Sequence, residues 1–334
     1  MMPVPMGSRC PQADRQSDFA SNGMTSLLLQ RGEDQSSMAS VSSEKGRSGF
    51  GMISFAGSER LAWYFLRVSG VALIVFALGH LFITHYLNAP SETDFDFVSA
   101  RWSNPLWLTF DGILLITALW HGLVGFRFTL TDFIPRKHRA MSYGILWLVG
   151  LIFTVLGLVN IFTFDEEAAR NNTGPLAGEM WIGDLLGYSL YVFAAVTYVA
   201  AIALVVWIVR NMRSGVATIY NGDVGQYAWV LHRATGAGIL FFLLIHIIDI
   251  MLIGLGRDVY NHTVEFYAHP FIIPMEIMLV GAVIYHTLNG LRIIAVNFSS
   301  RGPSMEKKYF WWVLALSVIL TIPSVIVIFA KEFF

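Results

Sequence analysis

Residues 62–80 read AWYFLRVSGVALIVFALGH, and residues 228–246 read AWVLHRATGAGILFFLLIH. Ala62, Trp63, Arg67, Gly70 and His80 thus recur as Ala228, Trp229, Arg233, Gly236 and His246, each 166 positions on. Further along, His121, Gly125, Arg127 and Asp132 recur as His286, Gly290, Arg292 and Asn297, now 165 positions on. A histidine is costly in an apolar helix unless it has a partner. Two matched pairs therefore point to ligands for something buried.

The stretches around these pairs decide the fold. The chain has 334 residues, 55% hydrophobic and only 13% charged, too few charges to cover the surface of a water-soluble domain of this size. Its apolar residues cluster into seven runs, near residues 62–86, 107–131, 143–163, 185–209, 229–255, 271–296 and 310–331. Each is long enough for a helix to cross about 30 Å of hydrocarbon. The expected fold is all-α, a polytopic membrane helical bundle, because the short alternating segments of a β-barrel are absent. A net charge of −1 favours no nucleic-acid partner. The single cysteine, Cys10, excludes an intrachain disulfide and an iron–sulfur centre held by this chain alone.

Residues 1–57 are polar, without the apolar stretch of a signal peptide, and read as a disordered cytoplasmic tail in which Met24, Met38 or Met52 could be the start. Two parallel three-helix units follow, at 58–164 and 216–334. Three crossings leave the chain on the opposite side, so a second unit of the same sense needs a return helix. Residues 165–215 supply it as a connector without histidine or mid-span charge. Lys and Arg in the short connections set the orientation. Arg60, Arg136, Lys137, Arg139, Arg210, Arg213, Arg301, Lys307 and Lys308 fall on one side, while the other holds only Arg101, Arg170, Arg257 and Lys331 among acids such as Glu92, Asp94, Asp96, Asp165, Glu166 and Glu167. The N-terminus is expected in the cytoplasm and the C-terminus outside, in the inner (cytoplasmic) membrane of a cell.

At 1.5 Å per residue His80 and His246 lie about 27 Å along their helices, toward the outside, while His121 and His286 each lie about 16 Å from the inner end. One histidine from each unit at each depth suits bis-histidine axial ligation of two b-type hemes. Gly122, Gly125 and Gly290 would let a flat macrocycle approach the backbone. Arg67, Arg127, Arg233 and Arg292, with His232, are candidates for the propionates, although arginines near helix ends also snorkel. The competing reading is a set of helix–helix hydrogen bonds. Zinc is disfavoured because no Cys or carboxylate stands at ligand spacing. His85 lies near the interface, and His138, His262 and His269 fall in loops.

His232 and Arg233 open the fifth helix one turn from Trp229, where a cation and an aromatic face could hold a quinone ring. Asp132 could relay a proton there or simply end its helix. Asp249 could orient His246 or bond to a neighbouring helix. Glu276 is a weaker candidate.

These residues resemble the cytochrome b membrane anchors of succinate:quinone oxidoreductase, complex II. Leu231-His232-Arg233-Ala234-Thr235-Gly236 looks like the motif opening the large anchor subunit, and His286-x-x-x-Gly290-x-Arg292 like its heme helix. Arg67-Val68-Ser69-Gly70 and His121-x-x-x-Gly125, followed by Asp132, are similar to the small anchor subunit. The resemblance spans about residues 58–163 and 227–332, with small and large anchors fused in reversed order. Phe133 stands where well-known members carry a quinone-binding Tyr, and Trp229 where Ser is frequent. His80 and His246 point to the diheme subgroup.

The resemblance implies a succinate dehydrogenase of the tricarboxylic acid cycle, whose flavoprotein and iron–sulfur subunits dock on the cytoplasmic face and pass electrons to quinone, menaquinone or ubiquinone. Complexes of this kind can form trimers. Two readings remain open beside it: a quinol:fumarate reductase, and a diheme anchor for another dehydrogenase. A heme-free transporter is disfavoured, because the repeats are parallel and their helices unbroken.

Overall fold

In a computed structural model of the chain, residues 55–172, 176, 179–214, 224–299 and 303–333 are described. The expected tail up to residue 54, with Cys10, Met24, Met38 and Met52, lies outside them, as does Arg301. Glu59–Phe334 forms one compact unit. Of the other unit, Met1–Ser58, only the start of the first helix is described, and it begins at Phe55, two residues before the expected end of the tail.

Ten α-helices and no strand occur among the described residues. They are α1 (Phe55–Leu81), continued to Leu87 as a wider π-helical stretch, α2 (Phe95–Trp102), α3 (Pro105–Phe133), α4 (Arg136–Phe162), α5 (Glu166–Arg170), α6 (Met180–Ser214), α7 (Val224–Met251), α8 (Arg257–Glu265), α9 (Ile273–Phe298) and α10 (Glu306–Phe333). Seven of them are long and apolar enough to cross a membrane. These match the seven apolar runs, and the chain is a polytopic helical bundle.

Local signals explain the ends. Asn104 caps α3, its side chain accepting from Leu106 N, with Pro105 in the first turn, where a missing N–H costs nothing. Asp94 caps α2 and Asp165 caps α5 in the same way. Within the spans, α3 and α4 approach closely because Gly150 sits against Leu123 and Trp120, and Gly157 against Leu115. Small residues at such contacts let dispersion replace the hydrophobic drive that lipid removes. Leu148, Leu151 and Val155 on α4 and Val192, Val196 and Val199 on α6 are largely exposed. A patch of that size belongs against lipid.

The connector α6 is more than a tether. Its Leu190 and Ala194 are fully buried with Ile272 and Met275, and Asp184 meets His262 Nε2 at 2.8 Å. His262 thus departs from the solvated loop position expected of it: it stands on α8 and ties the connector to the second unit. Neither α2 nor α8 has the long apolar run that marks a helix in the sequence. They cover one end of the bundle, with Phe95, Trp102, Val259, Tyr260 and Val264 buried against Leu115 of α3 and Ile253 after α7. Asp96 joins this cover by ion pairs to Arg170 and Arg257. That end carries most of the loop acids and is called the acidic end below. The opposite, basic end holds Arg136, Lys137, Lys307 and Lys308.

Candidate functional site

Helices α1, α3, α7 and α9 enclose one cavity of about 700 Å³, lined by His80, His121, His232, His246 and His286. Toward the acidic end, His80 of α1 faces His246 of α7 with ring centres 6.0 Å apart and planes at 66°. Toward the basic end, His121 of α3 faces His286 of α9 at 6.3 Å and 85°. Each pair takes one histidine from each repeat. Ten residues separate Gly70, beside His121, from His80, and ten separate Gly236, beside His286, from His246. At 1.5 Å per residue the two pairs stand about 15 Å apart along the helices.

The surroundings of the pairs differ. Ser69 Oγ lies 2.9 Å from His121 Nδ1, and Thr235 Oγ1 lies 3.4 Å from His286 Nδ1, which also stands 3.1 Å from the His232 carbonyl oxygen. Ser69 and Thr235 are themselves repeat mates, as are Gly70 and Gly236. A Cβ at Gly70 would come within 3.3 Å of His121 Cε1, and one at Gly236 within 2.8 Å of His286 Cε1. The sequence had suggested Gly122, Gly125 and Gly290 as the close approaches. All three line the cavity, but Gly122 packs against Leu240 and Gly290 looks onto His232. The signal that singles out Gly70 and Gly236 is their recurrence directly after the Ser/Thr position. His80 Nδ1, by contrast, is buried without a hydrogen-bond partner.

His232 is stacked flat on His286, ring centres 4.0 Å apart and planes at 7°. One turn earlier, Trp229 lies under the Arg233 guanidinium at 4.1 Å, and Arg233 forms an ion pair with Asp132 at the end of α3. Trp229, His232, Arg233 and Asp132, separately singled out in the sequence, therefore converge at the basic end. The equivalent place in the first unit is built differently. Arg67 stacks on Trp63 at 3.4 Å and donates to its carbonyl, with Asn297 where the other site has Asp132.

The four arginines divide into two groups. Arg67 and Arg233 line the cavity. Arg127 is turned to Glu59 at 2.8 Å and Arg292 to Glu306 at 2.9 Å, and neither lines it.

At the acidic end three carboxylates, Asp249, Glu276 and Asp111, reach the cavity wall. Asp249 accepts a 2.7 Å bond from the Tyr267 hydroxyl rather than orienting His246. Burial, reinforced by this carboxylate, holds the Tyr267 phenol well above its ordinary pKa, so it stays a donor. Glu276 meets His85 Nε2 at 3.0 Å. In the first unit Asp111, 165 positions before Glu276, is held instead by Arg101 through two 2.7 Å bonds and by Trp102. The Asp111 and Glu276 correspondence is a part of the repeat that the change of acid type hid. No group of three or more His, Cys, Asp or Glu able to hold a metal ion by itself occurs among the described residues.

The family model for the succinate dehydrogenase/fumarate reductase transmembrane subunit matches residues 50–159 and 209–323, segments that follow the two repeats and leave most of the connector unmatched. The chain is similar to the succinate dehydrogenase 2 membrane subunit SdhC of Mycobacterium tuberculosis, 37% identical over 111 residues, which are 33% of this chain and 82% of that protein. It is also similar to the succinate dehydrogenase hydrophobic membrane anchor subunit of Halobacterium salinarum, 30% identical over 104 residues, 31% of this chain and 79% of that one. The chain, with its seven apolar helices and its twice-matched histidine helices, belongs to the succinate dehydrogenase/fumarate reductase transmembrane subunit family.

Proposed function

We propose that this chain is the cytochrome b anchor of a succinate:quinone oxidoreductase, holding two b hemes and a quinone site within one polypeptide. The observation that carries the reading is the pair of histidine pairs in one cavity. Two imidazoles ligating one iron from opposite sides, each through a bond of about 2 Å, stand with ring centres about 6 Å apart. Both pairs have that spacing. Groups of two rather than three or four suit a metal whose other positions are filled by a macrocycle. The glycine edges beside His121 and His286 fit the same group.

His121 and His286 would hold the heme toward the basic end, and His80 and His246 the heme toward the acidic end. Arg67 and Arg233, toward the basic end, would neutralise propionates. When bound, the hemes supply one-electron storage at two depths. Arg233 and Trp229 form a cationic, aromatic wall suited to a quinone ring, with its carbonyl oxygen toward Arg233. His232, beside His286, would close the other side. Asp132 holds Arg233 in place and offers a carboxylate at the membrane edge to deliver a proton to the reduced ring. Its half-exposed position allows it to reload from water.

In this reading a flavoprotein oxidises succinate and an iron–sulfur subunit brings electrons to the basic end, the cytoplasmic face of the cell membrane by the distribution of Lys and Arg. The dicarboxylate chemistry is not performed by this chain. The same geometry serves the reverse direction, quinol oxidation coupled to fumarate reduction. Affinity purification of the tagged chain from its membranes tests the proposal. It predicts a b-type reduced-minus-oxidised spectrum at two hemes per chain, with flavoprotein and iron–sulfur subunits and succinate-dependent quinone reduction. A heme-free preparation overturns it, and a different dehydrogenase in the eluate would reassign the anchor.

A further inference from the structure

We infer that Ser69-Gly70 and Thr235-Gly236 are repeated positioning clamps, each fixing the tautomer and the ring plane of one axial histidine toward the basic end. The inference rests on the heme reading above and extends it to residues that touch neither iron nor quinone.

The argument begins with one proton. The Ser69 hydroxyl lies 2.6 Å from the Phe65 carbonyl oxygen, which can only accept. Its single proton goes there, so its other contact, with His121 Nδ1 at 2.9 Å, is one in which the hydroxyl accepts. Nδ1 therefore carries the hydrogen, and the Nε2 lone pair is the one available to a metal. Thr235 repeats this on His286. Its hydroxyl reaches the Leu231 carbonyl at 2.8 Å and the His232 carbonyl at 3.1 Å, and the His232 carbonyl also accepts from His286 Nδ1. Oriented imidazoles of this kind are what metal-ligating histidines need.

The glycines set the plane. Each ring rests its Cε1 edge where a side chain would begin, 3.3 Å from a Cβ at position 70 and 2.8 Å from one at position 236. His286 is further held from one face by His232, whereas the equivalent place in the first unit is Leu66. With each ring held by its own clamp, the two planes stand at 85°. In the pair toward the acidic end the planes lie at 66° and His80 Nδ1 has no such partner.

Crossed axial planes give a ferric heme a strongly anisotropic low-spin electron paramagnetic resonance signal, and an accepting partner on Nδ1–H lowers its midpoint potential. The test uses the purified complex with Ser69→Ala, Ser69→Thr, Thr235→Val and Thr235→Ser. Ser69→Ala is expected to narrow the anisotropic signal and raise the midpoint of one heme while leaving the other unchanged, and Ser69→Thr to restore both. Thr235→Val should act in the same direction but less, because the His232 carbonyl still accepts. Loss of that one heme in Ser69→Ala but not in Ser69→Thr also supports the clamp. Unchanged signal and midpoint in both Ser69→Ala and Thr235→Val overturn it, as does equal heme loss in Ser69→Ala and Ser69→Thr. Absence of any b-type spectrum in the unaltered complex overturns the heme reading itself, and is a distinguishable result.

Discussion

Asp132, at the end of the third helix, and Arg233, at the start of the seventh, form an ion pair that joins the two repeats at the basic end of the cavity. Both side chains are partly exposed, at 39% and 25%, so the pair contributes about 1 kcal/mol or less to stability. Its value lies in aiming the guanidinium over Trp229. Asp132→Asn should therefore leave the melting temperature and heme content near those of the parent. Succinate-dependent quinone reduction should fall about a hundredfold or more, the contribution typical of one general acid–base group. Steady-state kinetics beside a thermal melt in detergent separates the two effects; a large drop in melting temperature would mean that the pair is structural.

Removing one histidine should remove one heme. His246→Ala is expected to halve the heme-to-protein ratio and delete the component toward the acidic end, while His121→Ala deletes the other. Redox titration monitored by absorbance identifies the missing component. Loss of the same component in both variants would break the depth pairing.

The glycines beside the imidazoles should rank. A methyl at Gly236 would stand 2.8 Å from His286 Cε1, and one at Gly70 would stand 3.3 Å from His121 Cε1. Gly236→Ala is expected to lower heme occupancy more than Gly70→Ala, since His286 is also backed by His232 and has less room to retreat. Pyridine hemochrome assay of both variants checks the order.

Two acid pairs at the far end should differ in cost. Arg101 and Asp111 are 9% and 13% exposed and share two hydrogen bonds, so Arg101→Ala leaves a mostly buried carboxylate uncompensated, a loss of about 3–5 kcal/mol. Arg170 pairs with Asp96 and Glu166 in the open, where water screens the charges, and Arg170→Ala should cost far less. Denaturation in mixed micelles compares them directly.

Tyr267→Phe removes the donor to Asp249, whose other carboxylate oxygen is already unpartnered. The expected loss is about 1–3 kcal/mol. The double variant with Asp249→Asn should recover part of it, because a buried amide costs less to leave partly unsatisfied than a buried carboxyl that can ionise. No recovery would place the role of Tyr267 in packing alone.

Much of this architecture was legible before any coordinates. The seven spans were readable because a bilayer demands about twenty apolar residues in a row, a strictly local requirement. The four histidines were readable because duplication placed each twice, and the arithmetic of helical rise sorted them into two depths. The short helices α2 and α8 were not. They have no long apolar run, and their order comes from Tyr260, Val259 and Phe95 burying themselves against the bundle. The repeat placed Arg127 and Arg292 at matched positions but did not reveal their partners: each has a carboxylate, Glu59 or Glu306, in reach.

The sequence by itself determined the membrane class, the number of long apolar spans, the doubled unit and the residue types that face the cavity, since each follows from hydropathy, period and spacing along one chain. Only the tertiary structure decided who meets whom. Ser69 with His121, His232 on His286, Asp132 with Arg233 and His85 with Glu276 join residues on different helices, and helix rotation, set by side-chain packing, fixes those meetings. Spacing in sequence gives the depth of a side chain in the bilayer. Its direction around the helix, and therefore its partner, is settled by the neighbouring helices.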